Sequence, residues 1–157
     1  MPEVTYLAPA KINLFLHINS KRADGYHNLQ TIFQLLDYGD EITFSLRNDG
    51  EIKRIYGNET ISPDKDLILR SAHALKKYSK TVSGVDIGVI KKIPSGGGLG
   101  GGSSNAATVL IALNDLWNLK LPKSELFDIG QTLGADVPVF VNGHSAWAEG
   151  KGDILTP

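Results

Sequence analysis

The sequence predicts an α+β fold, and three observations point there. Segments alternating between apolar and polar residues crowd the first part of the chain. Segments with helical spacing dominate the later part. The two kinds do not alternate regularly, which disfavours a doubly wound parallel sheet.

Taken in order, Lys11 to Ile18 is the first strand: Ile12, Leu14, Leu16 and Ile18 alternate with Lys11, Asn13, Phe15 and His17. This predicts a half-buried strand with Lys11 and Asn13 on one face. Thr31 to Asp37 and Glu41 to Arg47 read as two further strands. Asn48-Asp49-Gly50 reads as a hairpin turn into Glu51 to Tyr56. Ser62-Pro63-Asp64 carries a helix start signal, with Ile68, Ala72, Leu75 and Tyr78 as the apolar stripe. Val85 to Ile93 is strand-like and ends at Pro94. A helix follows with Ala106, Val109, Leu110, Leu113 and Trp117 on one side. Pro122 to Leu133 forms another, stopped by Gly134, and Ser145 to Glu149 closes the chain as a strand.

Between Pro94 and that central helix stands Gly96-Gly97-Gly98-Leu99-Gly100-Gly101-Gly102-Ser103-Ser104. Glycine costs roughly 0.5–1 kcal/mol against alanine in regular structure, so packing does not explain the run. Its use is close approach: a glycine loop opening a helix aims free N–H groups and the positive dipole end at an anion, commonly phosphate. It is not a Walker A loop, because Ser103 stands where lysine is required. Gly96, Gly98 and Gly101 match the dinucleotide spacing, but the chain lacks the parallel frame that this motif needs.

Composition narrows the classes. The 157 residues suit one domain, and 41 % apolar with 21 % charged residues is ordinary for a soluble protein. Sixteen basic and 17 acidic residues give a net charge of −1, without the basic excess expected of a nucleic-acid partner. The absence of cysteine excludes disulfides and thiolate chemistry. No signal-like start and no apolar run of membrane-spanning length is visible, so a cytoplasmic location away from the membrane is expected.

The segment from Pro94 to Ala107 resembles the phosphate-binding motif of the GHMP kinases, whose pattern is Pro-x-x-x-Gly-Leu-Gly-Ser-Ser-Ala. Ala8-Pro9-Ala10-Lys11-Ile12-Asn13-Leu14, Arg22-Ala23-Asp24-Gly25-Tyr26-His27 and Leu133-Gly134-Ala135-Asp136-Val137-Pro138-Val139-Phe140 resemble further segments of that family, in its order. The resemblance implies that residues 1–157 are the N-terminal ATP-binding domain, two layers with a mixed, mostly antiparallel sheet and helices packed on it. It also implies a C-terminal domain, with a third glycine-rich motif, absent from this chain. The triple-glycine form is similar to the branch of the family acting on a cytidine diphosphate-linked methylerythritol in the non-mevalonate route to isoprenoids. ATP and Mg²⁺ are the expected cofactors; the oligomeric state is undetermined. One departure stands out: Asp66 occupies a position where the family often has a nucleotide-associated asparagine.

The same resemblance implies the residue roles. Asp136 becomes the base for the acceptor hydroxyl; its spacing alone favours a capping or turn aspartate after Gly134, and the resemblance reverses that. Lys11 becomes its cationic partner, and Asn13 a substrate contact. Tyr26 and His27 recognise the cytidine. Pro94, Gly96, Gly97, Gly98, Leu99, Gly100, Gly101, Gly102, Ser103 and Ser104 hold ATP. Two readings are open for Ser103 and Ser104, helix capping or contact with the metal, and two for Lys91 and Lys92, facing nucleotide or solvent. The rival functions are a non-catalytic nucleotide-binding module and an RNA-binding domain, the latter disfavoured by the balanced charge.

Overall fold

Two long strands organise the molecule. A computed structural model of the chain describes residues 3–21, 23, 27–94, 100–143, 146–150 and 154–156. β1 (Val4–Lys21) and β2 (His27–Arg47) pair antiparallel along most of their length. On its other edge β2 pairs antiparallel with β4 (Gly84–Ile90) through residues 41–47 and with β5 (Ala146–Gly150) through residues 29–33. β3 (Ile52–Tyr56) lies parallel to β4, and β6 (Ile154–Thr156) antiparallel to β5. The order is β3-β4-β2-β5-β6, with β1 on the far edge of β2.

Four helices complete the described residues: α1 (Leu67–Ser79), α2 (Gly101–Leu116), α3 (Lys123–Leu133) and α4 (Val137–Asn142). α2 is central. Ala106, Ala107, Val109, Leu110, Ala112 and Leu113 are all inaccessible to solvent, because α2 touches β1 and β2 and is flanked by the other helices. Ile42, Phe44, Val85 and Ile87 of the sheet join the same apolar cluster. Leu7, Leu14 and Ile90 of the strands are about half exposed, so the helices cover one face only. This is the two-layer α+β architecture, with a mixed and mostly antiparallel sheet. Among the described residues no helix is long and apolar enough to cross a membrane.

Several sequence expectations need correction. The stretches 31–37 and 41–47 belong to one strand, not two. Asn48-Asp49-Gly50 does turn, with Gly50 at φ 75° and Arg47 bonded to Asp49, but it closes no hairpin, because β4 occupies the place beside β2. α1 starts after Asp66, whose carboxylate accepts the Ile68 N–H at 2.9 Å; Ser62 only accepts the Lys65 and Asp66 amides in the preceding turn. Tyr78 is 47 % exposed and outside the buried stripe of Ile68, Ala72 and Leu75. α4 and β6 were not expected at all.

The alternation of β1 also changes phase. Pro9 pairs with Gly39 but Lys11 with Leu35, so β2 carries two extra residues there. On β2 the buried positions move from Asp40, Ile42 and Phe44 to Phe33 across that irregularity. On β1, Ala8 and Ala10 are followed directly by buried Lys11, while Leu14 is 55 % exposed. Strand irregularities re-aim side chains in this way. Here the result is a lysine turned toward the helices.

Candidate functional site

The start of α2 is built to receive an anion. Gly100 is its N-cap in the left-handed region (φ 71°), without a side-chain capping bond, and no acidic residue occupies the first turn. The first intrahelical bond runs from Ser104 N–H to Gly100 O at 2.8 Å. The amides of Gly101, Gly102 and Ser103 therefore have no acceptor within the helix. Ser103 and Ser104 stand inside the first turn, so neither caps the helix. The Ser104 hydroxyl is fully buried and has no hydrogen-bond partner among the described residues. An orphan hydroxyl beside unsatisfied amides suits phosphate oxygens.

Lys11 approaches this helix end. A Cβ on Gly100 would lie 2.8 Å from Phe140 Cζ and 3.2 Å from Lys11 Cε. Only glycine satisfies both the torsion and the space. The Lys11 ammonium donates to Asn13 Oδ1 at 3.0 Å and lies 5.0 Å from the centre of the Phe33 ring. The expected shared face of Lys11 and Asn13 is thus present. Asp136 is the N-cap residue of α4, and its carboxylate makes no capping bond. A Cβ on Gly134 would come within 4.0 Å of Ser103 Oγ. The start of α2 is therefore approached by Lys11 and Phe140 together at Gly100, and at Ser103 by Gly134, two residues before Asp136.

A cleft of about 430 Å³ opens beside the same turn, with walls that include Asn58, Ile61, Asp66, Lys91, Gly102 and Asn105. Lys91 is turned toward it: its ammonium donates to Asn105 Oδ1 at 2.8 Å and pairs with Asp40 Oδ2 at 2.7 Å. Lys92 points elsewhere, 3.5 Å from Glu41. Asp66 is 1 % exposed, and both its oxygens are occupied, one by the Ile68 amide and one by Arg54. Arg54 also donates to Ile61 O at 3.2 Å, so this pair joins two walls of the cleft.

Asp40 is inaccessible to solvent. Burial alone would raise its carboxyl; the bonds from Lys91, the Ile93 and Lys92 amides and Asn105 outweigh that and hold it below the usual range. The sequence reading missed Asp40, Asn105 and Arg54, since an acid within a strand, an amide within a helix and an arginine on an edge strand carry no motif. Pro94 is exposed at the end of the β4 segment. Tyr26, Gly96, Gly97, Gly98 and Leu99 lie outside the described residues, as does the side chain of His27. Among the described residues no group of three or more histidine and acidic side chains could hold a metal ion.

A buried strand lysine, a glycine-rich helix start without a side-chain cap and a cleft alongside are set in a two-layer α+β domain. The family model for the GHMP kinases N terminal domain matches residues 66–144, and the chain belongs to the GHMP kinases. Over 153 residues it is 61 % identical to a protein of Ruthia magnifica subsp. Calyptogena magnifica named 4-diphosphocytidyl-2-C-methyl-D-erythritol kinase, covering 98 % of this chain and 54 % of that protein. A crystal structure of 4-(cytidine 5'-diphospho)-2C-methyl-D-erythritol kinase superimposes with a TM-score of 0.85 at 39 % identity, over 98 % of this chain and 55 % of the other. Mevalonate kinase of Methanococcus jannaschii shares the fold, with a TM-score of 0.68 at 17 % identity over 99 % of this chain and 55 % of its own. The chain thus spans about half the length of the curated relatives it matches.

Proposed function

We propose that this chain is the nucleotide-binding half of a kinase that transfers the γ-phosphoryl group of ATP to the 2-hydroxyl of 4-diphosphocytidyl-2-C-methyl-D-erythritol. The observation that carries the reading is the open start of α2, whose first three amides have no acceptor within the helix, with the buried Ser104 hydroxyl in its first turn and the Lys11 stem beside Gly100. The 61 % identity to proteins named for this reaction supports the choice of acceptor.

In this reading the amides of Gly101, Gly102 and Ser103, with the Ser104 hydroxyl, hold the phosphates, and the remaining glycines complete the loop. The adjacent cleft takes the nucleoside. Phosphoryl transfer needs alignment and charge compensation more than covalent help. Asp136 accepts the proton of the acceptor hydroxyl. Lys11, held by Asn13, sits where negative charge grows, and Asn13 contacts the acceptor. Tyr26 and His27 recognise the cytidine. Mg²⁺ would arrive with the nucleotide and supply charge compensation during transfer; Ser103 and Ser104 are the residues of this chain that would offer it hydroxyl oxygens.

The test is ADP release with the cytidine substrate by a protein carrying the full length of the relatives, compared with its Asp136→Asn variant. Loss of a general base lowers kcat by about 10²–10⁴-fold while ATP still binds. Undiminished turnover in the variant would remove Asp136 from this role. Because the 157 residues span 54 % of such a relative, we also propose that they bind ATP but turn over little by themselves. Full turnover by the 157-residue chain would refute that second statement.

A further inference from the structure

We propose that Asp40 is a positioning residue for the nucleotide: its buried carboxylate clamps together the two ends of the glycine segment and fixes the Lys91 ammonium beside it. This rests on the ATP-binding reading above. Asp40 lies on β2, remote in sequence from the loop. Its Oδ1 accepts the amides of Lys92 at 2.5 Å and Ile93 at 2.8 Å, immediately before the glycine segment. Its Oδ2 accepts from Asn105 Nδ2 at 2.9 Å, immediately after that segment, and pairs with Lys91 at 2.7 Å. Asn105 closes the circuit by accepting from Lys91 at 2.8 Å.

The chemistry is selective. A glycine-rich stretch does not hold its own shape, so its ends must be held by something else. A buried carboxylate is costly unless fully bonded, and this one has four donors. All four belong to residues bordering the loop or lining the cleft. Residues 91–93 continue β4 past its last pair with β2, Glu41 with Ile90, so those bonds hold the end of the sheet where the loop departs; the bond to Asn105 carries the same carboxylate across to α2, where the loop returns. Lys91 Nζ is also within 3.5 Å of the position a Cβ on Gly101 would take, so the clamp sets its distance from the α2 amides.

The experiment pairs kinetics with amide exchange in the full-length protein. In Asp40→Asn the amide oxygen keeps the Lys92 and Ile93 amides, but its NH₂ meets two donors, Lys91 and Asn105. KM for ATP is expected to rise about tenfold, the scale of one charged hydrogen bond, with kcat within about threefold. The exchange variant Asp40→Asn/Asn105→Asp restores a carboxylate between the same partners and is expected to recover most of the loss. An unchanged or lowered KM for ATP, or a loss that the exchange variant leaves unrepaired, overturns the proposal. Should Asp40→Asn fail to fold, Asn105→Ala serves: faster amide exchange confined to residues 92–93 and to Ser104, the first bonded amide of α2, supports the clamp, and unaltered or uniformly faster exchange refutes it. The amide arm needs no nucleotide. A wild-type protein that binds no ATP but loses this protection on substitution would retain the clamp and discard the kinase reading.

Discussion

Gly100 and Gly102 stand two residues apart and obey different constraints. Gly100 has a positive φ and faces the Phe140 ring and the Lys11 stem. Gly102 is helical, and a Cβ there would meet only Leu67 Cδ1 at 3.2 Å, the movable end of a side chain. Gly100→Ala should therefore lose about 1–2 kcal/mol from the left-handed torsion alone, and more from the aromatic contact. Gly102→Ala should unfold in urea close to wild type while weakening ATP, because the added methyl narrows the cleft beside Leu67. Urea titration of both, with ATP affinity, separates the two roles. Equal stability losses would contradict this division.

Asp40 also makes a pH prediction. Its folded carboxyl is held below its ordinary value, so its ionised form stabilises the fold above the unfolded value of about 3.9. That contribution disappears as pH falls through the lower, folded value. Asp40→Asn should be less stable than wild type at neutral pH, with the difference shrinking below about pH 4. Thermal unfolding from pH 7 to pH 3 would show it. A gap that widened on acidification would reverse the assignment.

Among the elements, α1 shows how a helix start can be misread. Ser62-Pro63-Asp64 carries the start signal in the sequence, yet the cap is Asp66. Burial decides it: Arg54 on β3 draws the Asp66 carboxylate inward, and the helix begins beneath it. Asp66→Ala should cost about 3 kcal/mol, from the part-buried Arg54 left without its carboxylate and from the lost helix cap. Asp66→Asn keeps the cap oxygen and should cost less. The ordering Ala worse than Asn, read from urea midpoints, checks the ion pair as the larger part. The central helix was easier to recognise. Its apolar spacing from Ala106 to Leu113 is unbroken, and every one of those apolar positions except Ile111 is buried. α4 was invisible because Val137-Pro138-Val139-Phe140-Val141 is short and uniformly apolar, without helical period.

For the whole molecule, the α+β class and the helix layer were legible, while the strand order was not. Asn48-Asp49-Gly50 has hairpin chemistry, yet nothing local reveals that residues 84–90 will take the neighbouring place. The same holds for the site. The glycine segment announces an anion site through residue type alone. The placement of Lys11 depends on a strand irregularity, and that of Lys91 on a carboxylate far away in sequence; both are products of tertiary packing. One long-range bond can be tested at this scale. Trp117 donates its indole N–H to Gly84 O at 3.2 Å, joining the end of α2 to the start of β4. Trp117→Phe should cost about 1–3 kcal/mol for the carbonyl left unpaired, beyond any packing loss, seen as a lower urea midpoint. A midpoint equal to wild type would mean that water replaces the indole.

The parallel pairing of β3 with β4 has a consequence for how the chain is made. During synthesis β3 emerges directly after β2 but has no partner until the ribosome has added α1 and then β4. Meanwhile the β2 edge that β4 will occupy is vacant, and the turn before β3 is shaped to fold it back onto that edge. This edge of the sheet is therefore completed only by long-range pairing, with residues 84–90 inserted between two strands that are neighbours in sequence, which is the kind of contact that slows folding.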